Sequence, residues 1–151
     1  MFDLKKGVFS IFGVRISKDT SPEALTCLPE DLVSSKTSKR GNMYFKFQEP
    51  IPSEDVDMYL EVDFFVGQKA PEVNLYPAVP DNVKDTGHGE QAKYRLAACK
   101  RWLKEVIPEP AESEGPDSIC YDFGEGYIYA ATQESRDYGL IGGEIRVRFE
   151  G

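Results

Sequence analysis

The sequence predicts an α+β protein: a mostly antiparallel sheet packed against one long helix at about 88–107, with a short helix near the N-terminus, in a single domain spanning 1–151. Three observations predict it. Residues 55–66 (DVDMYLEVDFFV) alternate between apolar and mostly polar positions over their whole length, the period of a half-buried strand with one wet face. Residues 88–107 switch to helical spacing, with Ala92, Leu96, Cys99, Leu103 and Val106 on one stripe. Strand patterns resume after that helix, and strands, helix, strands is the order of an α+β fold.

Taken along the chain, residues 8–17 (VFSIFGVRIS) mix apolar and β-branched residues and predict a first strand or bent hairpin arm. Asp19-Thr20-Ser21-Pro22-Glu23 has the marks of a helix start: Thr20 as N-cap, Pro22 in the first turn, and Glu23 placed to return a hydrogen bond as in a capping box. A short helix over about 21–28 is expected. Segments 43–48 (MYFKFQ) and 72–79 (EVNLYPAV) pair most economically with the alternating strand as an antiparallel meander, the second cut short by Pro77, which has no N–H to donate. Trp102 stands beside the helical stripe while Lys93, Lys100, Arg101 and Lys104 face outward, and Pro108 ends the helix. Beyond an acidic loop, 118–123, 126–132 and 143–149 read as strands, the last from Ile145, Val147 and Phe149 alternating with Glu144, Arg146, Arg148 and Glu150.

A chain of 151 residues, 40% of them hydrophobic, can bury a core that offsets the entropy of ordering it. Its net charge of −8 is uneven: residues 1–50 carry 8 basic and 6 acidic side chains (+2), 51–100 carry 5 and 9 (−4), and 101–151 carry 5 and 11 (−6). Such a surface repels phosphate backbones and anionic headgroups and attracts basic partners, so the expected partner is a basic protein, not nucleic acid or a membrane. Cys27, Cys99 and Cys120 are odd in number and far apart, and His88 is the one histidine, which suggests neither a disulfide framework nor a zinc site. No cofactor is expected. The start MFDLKKGVFSIFGV is too short and too broken by Gly7, Ser10 and Gly13 for a signal peptide or a membrane span, which leads to an expected place in the cytosol.

Two glycine-rich stretches invite a nucleotide-site reading. The segment 121–127 (YDFGEGY) contains D-F-G, but a kinase magnesium site also needs a catalytic-loop aspartate, a strand lysine and a glycine-rich loop, and none is present. Alternation on both flanks makes Gly124-Glu125-Gly126 a hairpin turn. Gly142-Gly143 lacks the glycine spacing of a dinucleotide site and reads as a loop entering the last strand. His88 has no evident nucleophile beside it, and Cys99 on the apolar stripe is expected to be an inert core thiol.

The wet face of the alternating strand is the feature that points to function. Asp57, Tyr59, Glu61 and Asp63 project the same way, so their side chains recur about every 7 Å with an aromatic ring among three carboxylates. Acidic complementarity speeds encounter with a basic partner, and a tyrosine supplies contact area. Glu109, Glu112, Glu114 and Asp117 in the long loop are expected to join them in a single partner-binding surface.

The run VRISKDTSPEALTCLPEDLV, a strand leading to a Thr/Ser-capped short helix, followed by a Tyr- and Phe-rich strand and an acidic meander, resembles the layout of small bacterial immunity proteins of contact-dependent or type VI secretion systems. The resemblance implies a compact, cytosolic, non-enzymatic protein that neutralises a toxin domain, such as a nuclease, by surface contact. Two other classes remain open from the residues: a small enzyme or ligand-binding domain whose pocket between helix and sheet uses Tyr121, Tyr127 or Tyr129 with Arg146 or Arg148, and an adaptor or structural subunit of a secretion system, which would carry an exposed apolar patch.

Overall fold

The computed structural model describes residues 2–53, 55–84 and 89–150. Within them the N-terminal segment folds as β1 (Phe2–Asp3), β2 (Val8–Ile11) and β3 (Val14–Ile16), a three-stranded sheet of its own. The expected bent hairpin arm is therefore the β2–β3 hairpin, turning at Phe12 and Gly13, both at positive φ. After α1 (Pro22–Thr26) come β4 (Val33–Thr37), β5 (Met43–Phe47), β6 (Met58–Phe64) and β7 (Glu72–Pro77). Then α2 (Glu90–Val106) leads to β8 (Ser113–Gly115), β9 (Ser118–Asp122), β10 (Gly126–Ser135) and β11 (Gly139–Phe149).

Strands β4 to β11 form one eight-stranded antiparallel sheet in the order β4-β5-β6-β7-β11-β10-β9-β8. Two meanders meet where β11 lies beside β7, and α2 is the connection between them. The α+β class and the antiparallel pairing thus stand, including the expected β5-β6-β7 meander. The molecule is more sheet-dominated than the sequence predicts, and α2 is not the sheet's only cover. The helix packs on β7, β10 and β11. Over the same apolar face the N-terminal sheet contributes Phe2, Phe9, Ile11 and Ile16 to the core, with Phe12 stacked on Phe47 at 5.7 Å and Phe2 edge-on to Phe123 at 5.7 Å.

Strand alternation explains what is buried. Phe45, Phe47, Met58, Leu60, Val62, Val73, Leu75, Ile119, Ile128, Ala130, Ile145 and Val147 point to the covered face and are all 0–1% exposed, meeting Leu96, Cys99, Trp102 and Leu103 from α2 in one cluster. Burial pushes the Cys99 thiol up to about 12, against which its backbone hydrogen bond is a minor effect, so it is the inert core thiol expected.

Several local expectations change. Thr20 does not cap α1: its hydroxyl accepts from the Ser17 N–H at 2.8 Å and donates to the Arg15 carbonyl, holding the β3–α1 turn, while Ser21 occupies the cap position without a side-chain hydrogen bond. Glu23 consequently has no capping box to complete. Gly142 and Gly143 lie inside β11, not in a loop before it, at an irregularity where β10 and β11 change register. Both have positive φ, and a Cβ on Gly143 would stand 2.6 Å from the Ala92 carbonyl oxygen, so this glycine lets the helix backbone lie directly on the strand. Arg95 fastens the contact by donating to the Gly142 carbonyl at 2.9 Å. The YDFGEGY segment is the β9–β10 turn, with Gly124 at φ 84° and its N–H bonded to Asp122 Oδ1 at 2.8 Å. Phe123 of its D-F-G packs against Phe2 and Phe149 and ties the two sheets together.

Candidate functional site: the open face of the large sheet

The second face of the eight-stranded sheet carries neither helix nor strand among the described residues. Cross-strand pairing places on it a continuous row, Ser34–Lys46–Glu61–Asn74–Arg146–Tyr129–Cys120, and beside it Lys36–Tyr44–Asp63–Glu72. Tyr59 and Tyr76 are opposite one another in a third row, stacked at 6.1 Å, and Tyr44 meets Phe65 edge-on at 6.0 Å. The face is therefore polar at its charged positions and aromatic between them, with the rings half-buried against their neighbours.

Charge on this face is sorted by strand. The two central strands β6 and β7 bear Glu61, Asp63 and Glu72, whereas β4 and β5 bear Lys36 and Lys46, and β11 bears Arg146 and Arg148 together with Glu144. The cations do not neutralise the acids: among the described residues no lysine or arginine lies within ion-pairing distance of Glu61, Asp63 or Glu72. Arg146 pairs with Glu144 at 3.2 Å, and the Lys46 ammonium stands over the Tyr76 ring, 5.8 Å from its centre.

Of the four residues expected from the alternating strand, Tyr59, Glu61 and Asp63 lie on β6 and face outward together, with the exposed Asp57 just ahead of the strand. Asp63 differs from the wet carboxylate expected. It is only 6% exposed, Oδ2 accepts from Asn74 Nδ2 at 3.2 Å, and Oδ1 is buried without a hydrogen-bond partner. Burial, then the charges of Glu61 and Glu72, pushes its carboxyl up to about 7, with the Asn74 hydrogen bond pulling weakly the other way.

The loop acids do not join this surface. Strand β8 is five strand positions from β6, about 24 Å at the ordinary strand spacing. Glu114 pairs opposite Ile119, which puts it on the helix side of the sheet, where it bridges Lys104 at 2.9 Å and Lys100 at 3.5 Å. The Lys104 hydrogen bond holds the Glu114 carboxyl below its ordinary range; burial opposes it, and the Lys104 and Lys100 charges add to it. Glu112 and Asp117 are exposed and Glu109 half-buried along the same edge. The reason is geometric: the loop contains β8, which completes the sheet at the margin farthest from β4.

The residues of the alternative pocket are also divided. Tyr121 is 2% exposed on the covered face, whereas Tyr127, Tyr129, Arg146 and Arg148 belong to the open one. Tyr129 and Arg146 do share a shallow depression of about 470 Å³ with Thr132, Gln133 and Glu144. The large apolar side chains most exposed among the described residues, Val66, Tyr138 and Ile141, fall at opposite ends of the sheet, Val66 after β6 and the other two around the β10–β11 turn. His88 lies outside the described residues.

The residues that sequence reasoning missed are Glu72, Asn74, Tyr76 and Tyr44. Their signal was present in the alternation of EVNLYP and MYFKF, but only strand order shows that they flank Glu61 and Asp63. No helix among the described residues is long and apolar enough to cross a membrane, and no group of three acidic, cysteine or histidine side chains among them is arranged to hold a metal ion. Comparison with family models, with curated proteins and with solved structures returns no match.

Proposed function

We propose that this chain is a non-enzymatic protein-binding protein that docks a basic partner on the open face of its large sheet, acting in the cytosol as an immunity protein against a toxin domain of the nuclease kind. The observation that carries the reading is the acidic and aromatic strip on β6 and β7: Glu61, Asp63 and Glu72, none of them held in an ion pair among the described residues, set among Tyr44, Tyr59 and Tyr76. A nuclease domain must hold phosphates and so presents basic ground. Carboxylates steer such a surface in from a distance, and tyrosines supply rigid contact area once it arrives.

The experiment is growth rescue. The chain is co-expressed with a toxin domain of the nuclease kind, should one be encoded beside it, and the expected result is survival with the wild-type chain and its loss with Glu61→Lys combined with Glu72→Lys. Equal survival with the wild type and the double variant, at equal expression, would remove this face from the function. Glu109→Lys with Glu112→Lys, at the far edge, is expected to rescue as the wild type does.

A further inference from the structure

The two margins of the large sheet are finished differently. At one, β8 is three residues long, and its Gly115 carbonyl accepts from Lys100 Nζ at 2.5 Å. At the other, β4 runs five residues, pairs with β5 in unbroken register, and has no strand on its outer side among the described residues. The Gln48 N–H donates to the Leu32 carbonyl at 2.9 Å and the Ser38 N–H to the Asn42 carbonyl at 2.8 Å. Both are pairs in the β4–β5 register, so the even-numbered residues of β4 direct their backbone groups to β5 and the odd-numbered ones turn theirs outward. The Val33 N–H is taken by the Pro29 carbonyl at 3.1 Å. What remains is the Val33 carbonyl and both backbone groups of Ser35 and Thr37, none of them hydrogen-bonded among the described residues. Ser34, Ser35, Lys36 and Thr37 are all exposed, so this edge is open to solvent.

Of the devices that blunt a sheet edge, β4 has neither proline nor bulge, only Lys36. A lysine there discourages apolar and like-charged strands, and it does not stand alone. Residues 36–46 carry Lys36, Lys39, Arg40 and Lys46 and no acidic residue, in a chain of net charge −8. None of these four cations is in an ion pair among the described residues. A depression of about 530 Å³ lies beside the edge on the open face, between Ser34, Lys36, Tyr44 and Lys46, with Glu61 on its inner side.

We propose that the β4 edge takes an extended acidic segment of a partner protein as an added antiparallel strand. The segment's backbone exchanges hydrogen bonds with Ser35 and Thr37, and its carboxylates, at alternate positions, face Lys36 on the side of the depression. Lys39 and Arg40 extend the same attraction into the β4–β5 turn. Outward N–H and C=O groups in alternation are matched by another peptide backbone and not by a nucleic acid, which the acids of β6 and β7 also repel. A second copy of this chain fits less well, because pairing β4 with itself brings the two copies' Lys36 side chains together on one face. This edge is a different surface from the acidic strip that docks a basic partner, and its test stands apart from that reading.

The test is amide hydrogen exchange read by NMR, with a blocked hexapeptide of alternating threonine and glutamate as probe and its threonine–lysine counterpart beside it. With the glutamate peptide at about ten times its Kd, exchange at Ser35 and Thr37 is expected to slow about tenfold, while Ser34 and Lys36, already bonded to β5, change little. N-methyl groups on the threonine nitrogens, which face β4 when the glutamates face Lys36, are expected to abolish the protection. The same groups on the glutamate nitrogens, which face away, are expected to leave it. Lys36→Glu, at an exposed position, is expected to weaken the glutamate peptide and strengthen the lysine one. Thr37→Pro removes an outward donor, spares the β4–β5 ladder and is expected to lose the peptide. Exchange in the wild-type protein needs no variant, so the test survives any misfolding of Thr37→Pro. Ser35 and Thr37 exchanging as in the free protein, whether or not the peptide binds, would overturn the added strand. Equal protection by the lysine peptide would overturn the acidic occupant, and so would protection that comes from self-association or from an oligonucleotide and not from the glutamate peptide.

Discussion

The two faces of the eight-stranded sheet are made by alternate residues of the same strands, yet they do opposite work. On β6, Met58, Leu60 and Val62 point to the covered face and are 0% exposed, while Tyr59 and Glu61 between them are half-buried. Helix α2 and the N-terminal sheet seal the first face, and hydrophobic burial there supplies the stability. That leaves the second face free to carry charge without endangering the fold. The difference teaches where to look for function: Asp63, a buried carboxyl without a counter-charge, lies on the face that no helix or strand among the described residues covers.

The sharpest way to break this comparison is to mutate each face and read stability. Leu103→Ala on α2 removes a side chain 1% exposed and is expected to cost about 2–5 kcal/mol in a denaturant titration. A near-neutral result would move the core away from the helix stripe.

The second prediction concerns pH. The folded-state carboxyl of Asp63 is raised from an ordinary 3.8 to about 7, so the folded protein keeps a proton that the unfolded chain has lost. Its contribution to stability is complete below about pH 4, declines as pH rises, and is exhausted above about pH 7. Asp63→Asn abolishes that decline. Relative to the wild type it is expected to gain roughly 1–3 kcal/mol between about pH 4 and pH 8. Parallel pH profiles for the two proteins would show that Asp63 titrates normally.

Smaller again is the Tyr59–Tyr76 pair. A double-mutant cycle to alanine is expected to return a coupling of about 0.5–1 kcal/mol, and a coupling of zero would mean that the rings do not order one another on the open face. Smallest of all, Glu114→Gln at the far edge breaks bridges to Lys100 and Lys104 that solvent screens, and the denaturation midpoint is expected to stay within error of the wild type.

Where the sequence was legible, periodicity carried the information. The strand at Met58–Phe64 and the helix at Glu90–Val106 both bury one side against a partner, and one-sided burial leaves a regular apolar pattern. Edge strands leave none. In β4, Ser34, Ser35, Lys36 and Thr37 are all exposed, so no strand was expected there, and β8 is Ser-Glu-Gly, which read as part of the acidic loop. Thr20 carried a cap signal because threonine bonds backbone in several local geometries, and tertiary context selected the turn before the helix. Most of the acidic strip could be read from the alternation of Asp57, Tyr59, Glu61 and Asp63. The burial of Asp63 could not, since Tyr44 and Glu72 come to its sides through pairings 19 and 9 residues distant in sequence. Nor could the separation of Glu114, whose face is decided by pairing with Ile119 at the opposite margin.

The central claim is that the open face, at β5 to β7, receives the partner. Carboxyl and tyrosine footprinting with and without a basic nuclease-type toxin domain tests it most directly. The account predicts protection of Glu61, Glu72, Tyr59 and Tyr76 on complex formation, with Glu112, Glu114 and Asp117 labelled as in the free protein. Protection of that far edge, with Glu61 and Glu72 still freely labelled, would contradict it.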